Sequence, residues 1–124
     1  VEWPAMTLFV GSAGKRITVH EIVTDTTPVT IIQPSDRAYI YTVESASVRL
    51  KGTDVGFDFS IDDGVTDVSV AGTDSFGSET YWRLADHHPT IEFGKTLKFT
   101  ADGASELHVT VVMLESDTSG QGRQ

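Results

Sequence analysis

The sequence predicts an all-β fold: a single antiparallel β-sandwich, jelly-roll-like, with about eight to nine strands. The chain is rich in Val, Thr and Ile, whose branching at Cβ suits a pleated sheet better than a helix. Its apolar residues recur at every second position and not at the helical period. Turn-forming residues interrupt these runs at short, regular intervals, as in sandwiches and barrels. A length of 124 residues fits one domain.

The alternation of apolar and polar residues is clearest in two segments. In 57–61 Phe and Ile alternate with Asp and Ser, and in 107–113 Leu, Val and Met alternate with His, Thr and Val. A strand with this pattern turns one face to a core and the other to water. The same reasoning predicts strands at 6–10, 15–24, 29–33, 38–51, 55–61, 66–71, 79–85, 90–93 continued as 96–101, and 105–115.

Turn signals separate the predicted strands. The segment 90–101 is either a hairpin or one strand bent around Gly94-Lys95. Elsewhere the breaks fall at clusters of Gly, Pro, Asp and Ser, which adopt turn conformations readily. In chain order these clusters are Gly11-Ser12-Ala13-Gly14, Pro34-Ser35-Asp36, Asp62-Asp63-Gly64 and Ala101-Asp102-Gly103.

Two strands depart from simple alternation. In 38–51 the apolar face lies at odd positions up to Val43 and at even positions from Ala46, so the phase changes near Ser45. This change predicts a β-bulge, or a bend where the strand passes from one sheet to the other. The stretch 111–114, Val-Val-Met-Leu, is apolar on both faces. It is either a central strand covered on both sides or a strand with one face against another subunit.

Charge and composition restrict the function. The net charge is -9, from 18 acidic and 9 basic residues, which disfavours nucleic-acid binding. No apolar run approaches the roughly 18 residues of a membrane-spanning helix, so no membrane partner is predicted. Between Lys51 and Arg83 seven acids occur and no base. This region is either a solvated face, or a cation site or a patch that docks on a basic partner.

No catalytic or cofactor site is predicted. The chain lacks cysteine and has no G-x-S-x-G motif, so the familiar nucleophile signatures are missing. The most metal-like stretch is Asp86-His87-His88-Pro89, but adjacent strand residues point to opposite faces. A polar loop explains it better than the metal site of a small cupin-type enzyme, and a hairpin turn explains Asp62-Asp63-Gly64 better than a calcium loop.

Four aromatic residues allow a second interpretation, a carbohydrate-binding module. A sugar-stacking platform is one use of aromatics in a β-domain, although core or interface positions are the commoner use. In this interpretation the acidic loop 62–67 is a candidate for holding calcium. The aromatic residues concerned are Tyr39, Tyr41, Tyr81 and Trp82.

The two ends differ in character from the segment between them. Residues 1–14 are predicted to form an N-terminal arm and first strand, 15–115 the β-sandwich domain, and 116–124 a polar C-terminal tail. The arm carries large apolar groups before its strand, which suits packing against a partner. The predicted partner-binding residues are Val1, Glu2, Trp3, Pro4 and Met6.

Two stretches carry a resemblance to a known class of proteins. The first contains TPVTII (27–32), a short loop and RAYIYTV (37–43), and leads to the hairpin edge at 57–64. The second contains GKTLKFT (94–100), a small-residue turn and ASELHVTVV (104–112). This layout, over about two thirds of the chain, resembles small β-sandwich proteins of tailed-bacteriophage virions. These include capsid decoration proteins and head or tail fibre domains.

The resemblance implies a non-enzymatic structural protein of a virion, made in the cytoplasm of a bacterial host. Most directly it implies a capsid decoration protein that binds the major capsid protein or another virion protein. It also implies a homo-oligomer, with a trimer favoured, and terminal arms ordered by neighbouring chains. A tail or fibre domain is the other role that the class contains. No cofactor follows from the resemblance.

Overall fold

A computed structural model describes residues 15–117, which form nine β-strands and no helix. The strands agree with the alternation of apolar residues, because most of the alternating apolar positions lie on the side that faces the core. Their bounds are β1 Lys15–Val23, β2 Val29–Ile32, β3 Tyr39–Leu50, β4 Phe57–Asp62, β5 Asp67–Thr73, β6 Tyr81–Arg83, β7 Thr90–Ile91, β8 Thr96–Ala101 and β9 Leu107–Asp117. The predicted strand at 6–10 lies outside the described residues.

The strands form two antiparallel sheets. The large sheet has the order β1-β9-β3-β6, with β7 also paired to β3, and the small sheet has the order β2-β8-β4-β5. The first four strands alternate between the sheets, and β8 and β9 return to opposite sheets beside strands from the start of the chain. This arrangement confirms the predicted all-β antiparallel sandwich. Among the described residues no helix is present that could cross a membrane.

The core lies between the two sheets and is built from the inward positions of both. Aromatic rings fill its centre: Phe57, Phe59 and Phe99 of the small sheet lie within 5.1–6.0 Å of one another, measured between ring centroids. Trp82 of the large sheet reaches across and packs 4.9 Å from Phe57. On the large sheet β9 contributes only fully buried groups to this interior, namely Leu107, Val109, Val111 and Met113. Burial of this apolar surface is the main force that holds the sheets together.

The phase change in β3 is a β-bulge. The pairing of β3 with β9 shifts between Val43 and Ser45, so Glu44 is the extra residue. The bulge returns the even positions from Ala46 onward to the core. β3 remains in the large sheet over its whole length, so the alternative of a strand that passes between sheets is wrong.

The chain does change sheets between β7 and β8. β7 pairs with β3 in the large sheet and β8 pairs with β2 and β4 in the small sheet. The turn between them includes Gly94 at φ 92°, a left-handed conformation that glycine adopts without strain. The segment 90–101 is therefore a bent connection and not a hairpin.

Candidate interaction surfaces

The outer face of the large sheet is the side turned away from the core. Strand register fixes its composition, since residues paired across β1, β9, β3 and β6 share a face. Three rows of cross-strand neighbours lie on this face. The first row contains Ile22, His108, Arg49 and Tyr81. The second contains His20, Thr110, Ser47 and Arg83, and the third contains Thr18, Val112 and Ser45. This face therefore mixes apolar, aromatic and basic groups.

The β6 edge of this face carries a group that we call the Tyr81 patch: Arg49, Tyr81 and Arg83. Tyr81 is 44% exposed, and the Arg49 guanidinium lies 5.4 Å from the centre of its ring. Within residues 15–117 neither Arg49 nor Arg83 has a carboxylate in salt-bridge range. Tyr and Arg are among the residue types enriched at protein interfaces. The patch is therefore suited to protein contact.

The middle of this face is apolar where β9 crosses it. Val111 and Met113 are fully buried inward, whereas Val112 and Leu114 are half-buried outward. No third layer of described residues covers the outward pair. Within residues 15–117, therefore, the strand at 111–114 is not covered on both sides. The other interpretation, contact of its outer face with another subunit, stays a prediction.

The β1 side of the same face is polar and internally bonded. The His20 ring nitrogen Nδ1 lies 3.0 Å from the Thr110 hydroxyl, and His108 Nε2 lies 2.7 Å from a Glu106 carboxylate oxygen. Arg16 donates to Glu44 at 2.6 Å. Because these groups satisfy one another, this side offers less to a partner than the Tyr81 patch does.

The outer face of the small sheet is acidic. Asp58, Asp62 and Asp67 line it, and one ammonium group, that of Lys98, stands among them. Lys98 Nζ lies 3.1 Å from both Asp62 and Asp67, and these bonds raise its pKa. The hydroxyl of Ser69 donates to Asp58. With three carboxylates against one ammonium, the face keeps a net negative charge, and we call it the acidic face.

The acidic hairpin between β4 and β5 is a turn that its own carboxylates hold. Asp63 accepts the backbone N–H groups of Thr66 and Val65 at 2.8 and 2.9 Å, and these bonds lower the pKa of Asp63. Asp62 accepts the N–H of Gly64 at 2.8 Å, and this bond, with that from Lys98, lowers the pKa of Asp62. Both acids thus have structural roles, and no cluster of three ligand-type residues occurs within 15–117.

The histidine pair of the possible cupin-type site does not assemble one. His88 lies 3.0 Å from the carbonyl oxygen of Val43, and the next residue's carbonyl, that of Pro89, accepts the N–H of Val43 at 2.9 Å. This stretch therefore fastens the loop before β7 to β3. His87 and His88 belong to no group of possible metal ligands among the described residues.

The aromatic residues of the possible sugar platform are not on one surface. Trp82 points into the core, where its ring stacks on Phe59 at 5.8 Å. Tyr81, its neighbour, points outward, and Tyr41 is half-buried with its hydroxyl bonded to Glu115. No observation on these residues favours the carbohydrate-binding interpretation.

The predicted partner-binding residues Val1, Glu2, Trp3, Pro4 and Met6 lie outside the described residues. Among the described strands, the one that follows them, β1, is an edge of the large sheet, so half of its backbone groups face away from β9. Sequence reasoning did not single out Arg49 and Arg83. The sequence did contain a signal for Arg83. Tyr81 and Arg83 flank Trp82 in one strand, and strand alternation turns both away from the face on which Trp82 enters the core.

Comparison with solved structures places this fold beside that of a phage protein. A pentameric capsid protein isolated from metagenomic phage sequences superposes with a TM-score of 0.55 at 16% identity. The match covers 97% of this chain and 78% of the other. The predicted resemblance to small phage virion proteins is thus confirmed as a likeness of fold.

Two further structures are similar at lower scores. A second pentameric capsid protein from metagenomic phage sequences has a TM-score of 0.49 at 19% identity, covering 83% of this chain and 65% of that one. The capsid structure of Helicobacter pylori bacteriophage KHP30 has a TM-score of 0.46 at 11% identity, covering 83% and 99%. No protein-family model and no curated protein sequence matches the chain.

Proposed function

We propose that the chain is a non-enzymatic structural protein of a bacteriophage virion that works as an oligomer. The observation that carries this proposal is the sandwich shared, over 97% of the chain, with a pentameric phage capsid protein. The outward-facing apolar groups of β9 support it, and so do the arginines of the Tyr81 patch, which no carboxylate within residues 15–117 neutralises. Contact with a protein partner would stabilise both groups.

Within the virion, the proposed role is that of a capsid decoration protein on the major capsid protein. Such a protein stabilises a shell by adding contact area between subunits, and binding to the folded shell shifts its stability by mass action. The N-terminal arm, with Val1, Glu2, Trp3, Pro4 and Met6, is the proposed contact. Trp3 and Met6 supply the apolar surface for it.

The oligomer itself has two candidate sizes. The resemblance implies a trimer, whereas one solved protein of similar fold is pentameric. We favour the pentamer, because it is the state attached to a structure that superposes on this chain. Light scattering during gel filtration distinguishes the two, since the protomer mass is 13.4 kDa.

The location is tested with antibodies raised against the purified chain. Immunoelectron microscopy on particles of the phage that encodes it should show label on the head. Label confined to the tail or fibres would replace the decoration role with the fibre role. Particles without label would overturn the proposal.

The arm is tested by deletion of residues 1–6, compared with a chain that carries Trp3→Ala and Met6→Ala. Both variants should keep the β-sheet circular dichroism of the full chain and lose binding to heads that lack the protein. Unchanged affinity in both would show that the contact lies elsewhere.

A further inference from the structure

We propose that neighbouring copies of this chain associate head to tail, with the Tyr81 patch of one copy against the acidic face of the next. This inference rests on the proposed function, because it assumes that the chain assembles with itself. It adds the surfaces that meet, the direction of assembly and the residues that carry it.

The Tyr81 patch supplies the basic half of the contact. Tyr81 gives an exposed, rigid aromatic group, and the Arg49 guanidinium is held beside its ring. Arg83 lies next to them, since it pairs with Ser47 one row along the same face. No described carboxylate neutralises either guanidinium. The chain as a whole has a net charge of -9, so a surface with two arginines that no described carboxylate neutralises differs in charge from the molecule as a whole.

The acidic face supplies the complementary half. Within residues 15–117 the hydroxyl of Ser69 is the hydrogen-bond partner of Asp58, and no basic group lies in salt-bridge range of its carboxylate. Asp62 and Asp67 share the single ammonium of Lys98. Side chains on the neighbouring outward positions are short, with Ser60, Ser69 and Gly72 among them. A partner's long arginine side chains can therefore approach the carboxylates closely.

The placement of the two surfaces sets the symmetry of the assembly. They lie on opposite sides of the sandwich, because one is the outer face of the large sheet and the other that of the small sheet. A contact between two different surfaces of identical copies is heterologous, and it produces a ring when the rotation closes. A ring is the form that a pentamer takes.

Charge complementarity makes a second copy the favoured occupant of the Tyr81 patch. Copies of net charge -9 repel one another in most orientations. In the orientation that brings the arginines of one copy to the carboxylates of the next, opposite charges meet and attract. Such complementarity determines register and orientation at an interface.

Charge reversal in both surfaces tests the contact. One variant carries Arg49→Glu and Arg83→Glu, a second carries Asp58→Lys and Asp67→Lys, and a third carries all four changes. The matched control, Arg37→Glu with Lys95→Glu, makes the same change in net charge as the first variant. It does so near the turn before β8, where Arg37 lies over the ring of Phe93. Each protein is measured by light scattering, with circular dichroism and a melting curve as the check on folding.

We expect the first and second variants to lose the oligomer, with at least a tenfold rise in dissociation constant. The third should regain it, because glutamates then face lysines, and the control should match wild type. Raising salt from 0.15 M to 1 M should weaken the wild-type oligomer, since the screening length falls from about 8 Å to about 3 Å.

Failure of this inference is separable from failure of the proposed function. If wild type assembles and the first two variants assemble equally well, the contact is wrong while oligomerisation stands. If the first and second variants fold but lose the oligomer, and the third variant does not regain it, the pairing of these two faces is wrong. A wild-type chain that stays monomeric at every concentration tested overturns both.

Discussion

Tyr41 shows how a single polar group is accommodated beside the core. Its ring packs against the buried cluster, and its hydroxyl donates to the Glu115 carboxylate at 2.8 Å. Burial, reinforced by this bond, raises the pKa of Tyr41 to about 12 from 10.0. The proton is therefore held more tightly in the folded chain than in the unfolded one, and folding becomes sensitive to alkaline pH.

We predict that the folded state loses stability between pH 10 and about 12, the window between the two pKa values. Below pH 10 the tyrosine is protonated in both states, so its contribution is complete there. Above that pH the unfolded chain releases the proton first, which favours unfolding. Urea unfolding at intervals from pH 8 to 12 measures the effect.

Two variants assign this pH dependence to Tyr41. Tyr41→Phe should be less stable than wild type at pH 8 by about 1 kcal/mol, the usual worth of a lost hydrogen bond, and should show a flatter alkaline profile. Glu115→Gln keeps an acceptor but removes the negative charge, so its profile should be intermediate. An alkaline loss that is unchanged in Tyr41→Phe would show that another group is responsible.

At the scale of elements, close approach of backbone segments decides which residues a strand can carry. Gly56 is buried immediately before β4, and Asp102 donates its N–H to the Gly56 carbonyl at 2.9 Å. A Cβ at Gly56 would lie 2.6 Å from the Asp74 carbonyl oxygen and 2.7 Å from that of Thr73. These are backbone atoms, so they cannot move aside by a change of rotamer.

We therefore predict that Gly56→Ala destabilises the fold by about 1–3 kcal/mol, the usual range for inserting a group into a packed site. Gly103→Ala is the matched control, because its Cβ would meet only the Val55 side chain, at 3.0 Å, and a side chain can adjust. Thermal and urea unfolding measure both. Equal stabilities of the two variants would contradict the proposed clash.

At the scale of the whole molecule, the two sheets are joined by aromatic rings. Phe59 of the small sheet is 3% exposed and stacks on Trp82 of the large sheet, 5.8 Å between centroids. It also lies 5.1 Å from Phe99. A cavity of about 10 Å³ adjoins Phe59, and every side chain that lines it is apolar. The interior is thus closely packed, with little room to collapse around a deleted ring.

We predict that Phe59→Ala destabilises the protein by about 3–5 kcal/mol, the range for a buried phenylalanine whose cavity cannot refill. Ile22→Ala removes an apolar side chain that is 55% exposed on the outer face of the large sheet. Its effect should stay within about 0.5 kcal/mol. Chemical denaturation of both variants measures the free energy of unfolding. Similar losses of stability in the two variants would contradict the role of Phe59 in the core between the sheets.

The sequence by itself determined the fold class and most strand positions. Period-two alternation is a local property, set by the pleat of the strand, so it is readable without knowing the partner strand. The phase change near Ser45 was readable for the same reason, because a bulge shifts alternation within its own strand. Alternation within β6 also places Tyr81 opposite Trp82, a local signal that the grouping of the two rings on one platform overlooked.

Only the tertiary structure decided which distant residues share a surface. Arg49 and Tyr81 are 32 positions apart, and their contact depends on the pairing of β6 with β3. Asp62 and Lys98 meet because β4 pairs with β8, which no local pattern reveals. Pairing of strands distant in the chain is fixed by how the two sheets bury a common core. The charged faces, and the assembly inferred from them, follow from that burial and not from any motif.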